Sequence, residues 1–168
     1  MTTETKSTNE FVISRVFNAP RKLVWKALSE SEALAQWWGP KGATIHISKL
    51  EFKPNGVFHY NMQSPMGVMW GLFRYLEMVE PEKIVFINSF SDEAGGITPN
   101  LFLPAFPLEI KNIITLSEQD GKTTLTLKGG PINATEEQHK AYRDMMGSMN
   151  EGFKGTFDQL DEYLAKVK

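Results

Sequence analysis

The feature that most constrains this chain is its last stretch, Thr135 to Lys168. Placed at about 100° per residue, Met145, Met146, Met149, Phe153, Phe157, Leu160, Tyr163, Leu164 and Val167 fall in one stripe about 120° wide. Arg143, Asp144, Glu151, Lys154, Asp158, Asp161 and Glu162 fall opposite. Thr135 is a good N-cap, Gln138 completes a capping box, and Glu136 and Glu137 suit the positive end of the helix dipole. Such a helix runs roughly 45–50 Å at about 1.5 Å per residue. That is longer than a surface helix on a 168-residue chain requires, so something elongated and apolar must lie beneath it.

The first half of the stripe is methionine, whose flexible side chain adapts to irregular or variable neighbours. Gly147, Gly152 and Gly155 all lie outside the stripe, at about 1 kcal/mol each against alanine. Either the helix bends or is closely approached there, or it flexes over a cavity.

What this helix covers is set by the preceding segments. Phe11 to Phe17 reads as a strand with Phe11, Ile13, Arg15 and Phe17 on one face. Pro20 suits a helix start, Leu23, Val24, Ala27 and Leu28 give that helix an apolar side, and Ser31 caps a second short helix holding Leu34, Trp37 and Trp38. Gly39 and Pro40 end it. Ile45 to Lys53 and Val57 to Gln63 flank Lys53-Pro54-Asn55-Gly56, which favours a bulged turn pairing Phe52 with Phe58, Leu50 with Tyr60 and Ser48 with Met62. His59 then lies outside opposite Glu51, and His46 points inward near the strand end. Trp70 to Val79 and Ile84 to Phe90 form a hairpin whose two faces are both apolar, so its inner face stays open. Asp120-Gly121 marks a tight turn that sets Leu116 against Leu125, Ile114 against Leu127 and Asn112 against Gly129.

Asp92 to Pro107 breaks the run of short turns. It contains Gly95, Gly96, Pro99, Pro104 and Pro107, yet also Ile97, Leu101, Phe102, Leu103 and Phe106. A long apolar loop of this kind is a lid over a cavity or a homodimer contact.

The order of elements predicts an α+β fold in which a curved antiparallel sheet wraps a long C-terminal helix, with two short helices after the first strand. Phe17-Asn18-Ala19-Pro20, Val24-Trp25, Ala27-Leu28 and Trp37-Trp38-Gly39-Pro40 resemble the opening signature of small proteins related to the C-terminal domain of the activator of heat-shock-protein-90 ATPase. Pro54-Asn55-Gly56 and the closing Gly152-Phe153 with Leu160, Tyr163 and Leu164 carry the same resemblance, with Phe153 where a tryptophan is usual. The resemblance covers about Phe11 to Val167 and implies the helix-grip fold of the START-like superfamily, which also holds polyketide cyclases, lipid-transfer domains and pollen allergens. It implies a cavity for an apolar ligand more firmly than it implies a reaction. On this reading residues 1–8 are a disordered tail and residues 9–168 one START-like domain. The parent activator engages its chaperone through a further N-terminal domain for which this chain has no room, so co-chaperone activity is discounted.

Composition removes several alternatives. A net charge of −2 argues against nucleic acid and anionic membrane, and the lack of cysteine excludes thiol catalysis and thiolate metal sites. No apolar run is long enough to span a membrane and no signal-peptide pattern is present, so the cytoplasm is the expected location. His46, His59 and His139 are too dispersed for a metal site, and no cofactor motif appears. What remains is a pocket lined by Phe58, Tyr60, Met62, Leu108, Ile110, Ile114, Met145, Met149 and Phe153, with Phe102 contributed by the long loop. His46, Tyr60 and Asn112 are its candidate polar contacts, and Arg74 joins them as an anion partner if it points inward. Trp37 and Trp38 read as packing anchors. The expected partner is a small apolar or aromatic molecule. A cyclase- or hydrolase-like enzyme using Tyr60, His46 or Arg74, and a protein-interaction module, are the alternatives.

Overall fold

Alternation of apolar and polar side chains along seven segments builds one antiparallel sheet in a computed structural model that describes residues 10–167. The strands are β1 (Phe11–Phe17), β2 (Thr44–Leu50), β3 (Val57–Ser64), β4 (Gly67–Val79), β5 (Lys83–Ser91), β6 (Ile110–Gln119) and β7 (Lys122–Pro131). Their spatial order is β1-β7-β6-β5-β4-β3-β2. Helices α1 (Arg21–Ser29) and α2 (Ser31–Trp37) follow the first strand, and α3 (Glu136–Val167) closes the chain. This is the expected helix-grip arrangement. The tail at residues 1–8 lies outside the described residues.

Helix α3 begins as its sequence dictates. The Gln138 amide donates to Thr135 Oγ1 at 3.1 Å, and the Thr135 amide donates to Gln138 Oε1 at 2.9 Å. Its inner side buries Tyr142, Phe157, Leu160 and Leu164 against the sheet, at about 1.5–3 kcal/mol for each large side chain removed from water. Val167 departs from the stripe and stays 43% exposed. Arg15 reaches from β1 to Asp158 and Asp161, each at 2.6 Å, and fixes the helix over that edge. The three helical glycines face outward or toward Lys41.

The short helices differ from expectation at their starts. Pro20 occupies the cap position itself, and Glu30, not Ser31, caps α2, neither through its own side chain; the first amide of α1, that of Arg21, donates instead to Glu118 Oε1 at 2.7 Å. Val24, Ala27 and Leu28 are buried as read, with Trp25 buried beside them and Leu23 half-buried; on α2, Leu34 and Trp37 are buried, and Trp38 at its end is half-buried. The Trp37 indole N–H donates to Ala27 O at 2.9 Å, so this buried donor is satisfied.

The β6–β7 hairpin has the expected register, pairing Leu116 with Leu125, Ile114 with Leu127 and Asn112 with Gly129. The β2–β3 hairpin does not. Leu50 pairs with Phe58, Lys49 with His59, Ile47 with Tyr60 and Ile45 with Met62, with a bulge at Ser48. The cause is Phe52, which leaves the sheet to pack on Trp25 and Tyr75 with ring centroids 5.6 and 5.2 Å away. The turn bonds instead to β4: the Asn55 amide donates to Tyr75 O and the Tyr75 amide to Gly56 O, at 2.8 and 2.9 Å. His59 keeps the outer face but is buried there. It stacks on Trp70 at 4.8 Å, and its Nε2 bonds Asp92 O at 3.0 Å.

The open question in the β4–β5 hairpin is settled by burial. Phe73, Tyr75, Ile84 and Phe86 join the core under α3, so Arg74 lies on the convex face.

Candidate functional site

Two tryptophans at the end of α2, the inner faces of β4 to β7 and the middle of α3 leave a cavity of about 60 Å³. Trp37, Trp38 and Leu28 close it from the helical side, and Phe153 and Phe157 roof it. Phe73, Phe86, Asn88, Asn112, Ile114, Leu125 and Leu127 form the sheet wall. A second void of about 20 Å³ adjoins it, bounded by Phe58, Phe73, Tyr75, Phe86 and Trp38 among others. Only Asn88 and Asn112 bring side-chain amides to the main wall; the Asn112 Nδ2 donates to Asn88 Oδ1 at 2.6 Å.

The structure brings together part of the expected set. Asn112, Ile114 and Phe153 stand on the main cavity wall, and Phe58 bounds the adjoining void. Tyr60 and Ile110 are buried in the same core, and Met62 and Met149 are half-buried against it. Met145 is half-buried at the side of the stripe. Four residues lie elsewhere. His46 is exposed, because Ile45 takes the inward position on edge strand β2. Arg74 pairs on the convex face with Glu109 at 2.5 Å, since Phe73 and Tyr75 take the inward positions on either side. Phe102 is 58% exposed, and Leu108 is 41% exposed. The expected lining lacks Leu28 and Phe157, has Trp37 and Trp38 only as packing anchors, and misses Phe73, Phe86, Asn88, Leu125 and Leu127. The β6–β7 register, continued across Ile114, would have located Leu125 and Leu127. Phe73, Phe86 and Asn88 followed only once the parity of β4 was known.

Burial governs the electrostatics. It pushes the Tyr60 hydroxyl pKa up to about 12, with the nearby Trp38 indole opposing. Burial likewise raises Tyr75 and Tyr142. The Tyr60 hydroxyl lies over Gly71, where an added Cβ would come within 2.5 Å of it. Among the described residues no group meets full hydrogen-bond geometry with the buried Trp38 indole nitrogen, so its hold on the Tyr60 hydroxyl is weak. On the convex face, the hydrogen bond from Arg74 holds the Glu109 carboxyl below its ordinary range.

Chemically, the polar side-chain groups of this wall are carboxamides, which can donate and accept hydrogen bonds but do not exchange protons near neutral pH. Among the described residues no three His, Asp or Glu side chains converge as a metal site. No described helix is long and apolar enough to cross a membrane. A larger, more open hollow of about 250 Å³ lies where β5 stops and β4 continues, between Val68, Trp70, Phe90, Asp92, Pro99 and Leu101.

The family model described as Activator of Hsp90 ATPase homolog 1-like protein matches residues 18–165. Among solved structures, protein Ms6760 from Mycobacterium smegmatis is 28% identical, with a TM-score of 0.76 over 94% of this chain and 91% of that one. A protein from Arthrobacter aurescens is 25% identical, with a TM-score of 0.79 over 95% and 88%. DynU16, a putative protein in the dynemicin biosynthetic locus, shares the fold at 18% identity and a TM-score of 0.68, over 95% of this chain but 48% of its own. No curated protein matches the chain.

Proposed function

The chain belongs to the family of Activator of Hsp90 ATPase homolog 1-like proteins, and we propose that it binds a small apolar or aromatic molecule in the cavity between the sheet and α3. The observation that carries this reading is an apolar hollow with one polar spot, roofed by a helix whose facing side chains include Phe153 and the half-buried Met149. At about 60 Å³ the hollow is under half the ~150 Å³ that admits benzene, so a ring ligand enters only as the roof gives way. Unbranched Met146 and Met149 are suited to such movement. An enzyme of the cyclase or hydrolase kind would need an acid and a base facing each other here. The amides of Asn88 and Asn112 favour binding instead.

Native mass spectrometry of protein purified from its own host, with uptake of phenylnaphthylamine by the emptied protein, tests the reading. A retained small molecule or saturable probe fluorescence is expected. Protein that flies at its bare mass and excludes the probe overturns it.

A second reading draws on the exposed Leu101, Phe102 and Val68, at 75%, 58% and 50%. Leu101 and Val68 line one hollow, and Phe102 follows in the chain. An apolar surface of this kind suits a second copy of the chain, and sedimentation equilibrium tests it.

A further inference from the structure

The polar spot in the cavity has a definite hydrogen-bonding pattern. A carboxamide offers two N–H donors and one carbonyl acceptor. The 2.6 Å bond from Asn112 Nδ2 to Asn88 Oδ1 consumes one donor of Asn112 and engages the carbonyl of Asn88. Among the described residues neither side chain makes a further hydrogen bond. The amino group of Asn88 and the carbonyl of Asn112 are therefore left as a donor and an acceptor on neighbouring strands. Exchanging oxygen and nitrogen in both amides reverses the order but preserves the pair: one whole amino group and one free carbonyl still remain on neighbouring strands.

Two further observations make this a built feature of the wall. Asn112 is 93% buried by its 7% exposure, in a wall that is otherwise aromatic and aliphatic. Its cross-strand partner is Gly129, and an added Cβ there would come within 2.0 Å of Asn112 Oδ1. The glycine thus makes the room in which the carboxamide lies. Burying amide groups against hydrocarbon is unfavourable unless something in the hollow pairs with them.

We propose, resting on the binding reading above, that the ligand is neutral and carries a hydrogen-bond acceptor and donor on adjacent atoms, as a lactam or ring amide does, docked edge-on to the Asn88–Asn112 pair. The chemistry excludes the charged alternatives. A carboxylate would face the Asn112 carbonyl, an ammonium would face the Asn88 amino group, and no charged side chain lines the wall to compensate either. An unsubstituted hydrocarbon would fill the volume but leave both amides unpaired.

The test compares oxindole, a bicyclic lactam, with indane, its hydrocarbon counterpart, by calorimetry on the full chain. Wild type should prefer oxindole by about tenfold or more, the discrimination expected when buried polar groups are otherwise left unpaired. Asn88→Leu should abolish the preference while still binding indane, and Asn112→Leu serves as the second variant should the first fail to fold. Oxindole should also shift the Asn88 side-chain amide resonance of wild type. Equal affinities in wild type, or a preference that survives both substitutions, overturns the proposal and leaves apolar binding standing. If neither compound binds wild type or Phe153→Ala, whose roof is opened, the binding reading itself falls and takes this one with it.

Discussion

Phe153 stacks on Phe11 with ring centroids 5.7 Å apart and planes inclined at 29°, joining the middle of α3 to edge strand β1 at the cavity rim. The same ring approaches Trp38 at 6.4 Å and Phe157 at 5.6 Å, so one side chain both clamps the helix and roofs the hollow. Those roles oppose each other under truncation. Phe153→Ala should cost about 2 kcal/mol, below the full-burial range because the ring is half-buried. It should also enlarge the hollow and tighten binding of a ring probe. Urea midpoints and calorimetry on one variant read both effects. An unchanged midpoint with unchanged affinity would show that the ring neither clamps nor roofs.

The acid limit of stability should track Arg15. Its hydrogen bond holds the Asp158 carboxyl below the ordinary 3.8, and Arg74 does the same for Glu109 below 4.5. A carboxyl depressed in the folded state stabilises fully above its ordinary value, and that contribution is lost as pH falls through the lowered one. Unfolding midpoints should therefore decline below about pH 4. Arg15→Met should lower the neutral-pH midpoint slightly and make the acid decline shallower, since only Lys41, 3.4 Å away, then still holds the Asp158 carboxyl down. An acid decline as steep as that of wild type counts against the pairing.

At the alkaline end the sign reverses. Tyr60 ionises at about 12 in the fold against an ordinary 10.0, so its contribution is intact below pH 10 and is lost as pH rises through that interval. Phenolate absorbance of Tyr60 should appear only with unfolding, and Tyr60→Phe should make the alkaline decline shallower. The site is also tightly filled: Tyr60 is stacked on Phe58 at 4.5 Å with its hydroxyl over Gly71. Gly71→Ala should destabilise by about 1–3 kcal/mol, because the ring cannot retreat. A neutral Gly71→Ala would mean that Tyr60 has another place to go.

How far the sequence reached depended on local grammar. The capping box of Thr135 and Gln138, the Asp120-Gly121 turn and the alternation of β1 are set within a few residues, and each occurs as read. The register of β2 on β3 was decided by a distant partner. Phe52 prefers Trp25 and Tyr75 to a cross-strand seat, and no turn rule contains that preference. The same turn rule points His46 inward, whereas in the fold Ile45 takes that side and His46 is exposed. The face of β4 was illegible because Leu72 on the convex side is as buried as Phe73 on the concave side, at 6% and 7%. Without that parity Asn88 could not be assigned to the cavity, whereas Asn112, tied to Gly129 by the legible hairpin, could.

The last expectation concerns the segment between β5 and β6. Its apolar residues divide into two groups. Phe106 is half-buried and touches Phe90 at 6.1 Å and Tyr142 of α3 at 5.9 Å, whereas Leu101 and Phe102 stand mostly in water. Leu101 borders the more open 250 Å³ hollow beside Trp70, away from the cavity under Phe153. If the segment gates the cavity, it does so through Phe106, the member that meets the first half of α3. Phe106→Ala should then speed release of a bound apolar probe in stopped flow, with a modest loss of stability because the sheet core is untouched. Leu101→Ser with Phe102→Ser should leave release alone, and should shift sedimentation towards monomer where copies of the chain meet through this surface. Faster release from the double variant would return the gate to the loop tip. Release unchanged in both variants would make the segment a passive cover.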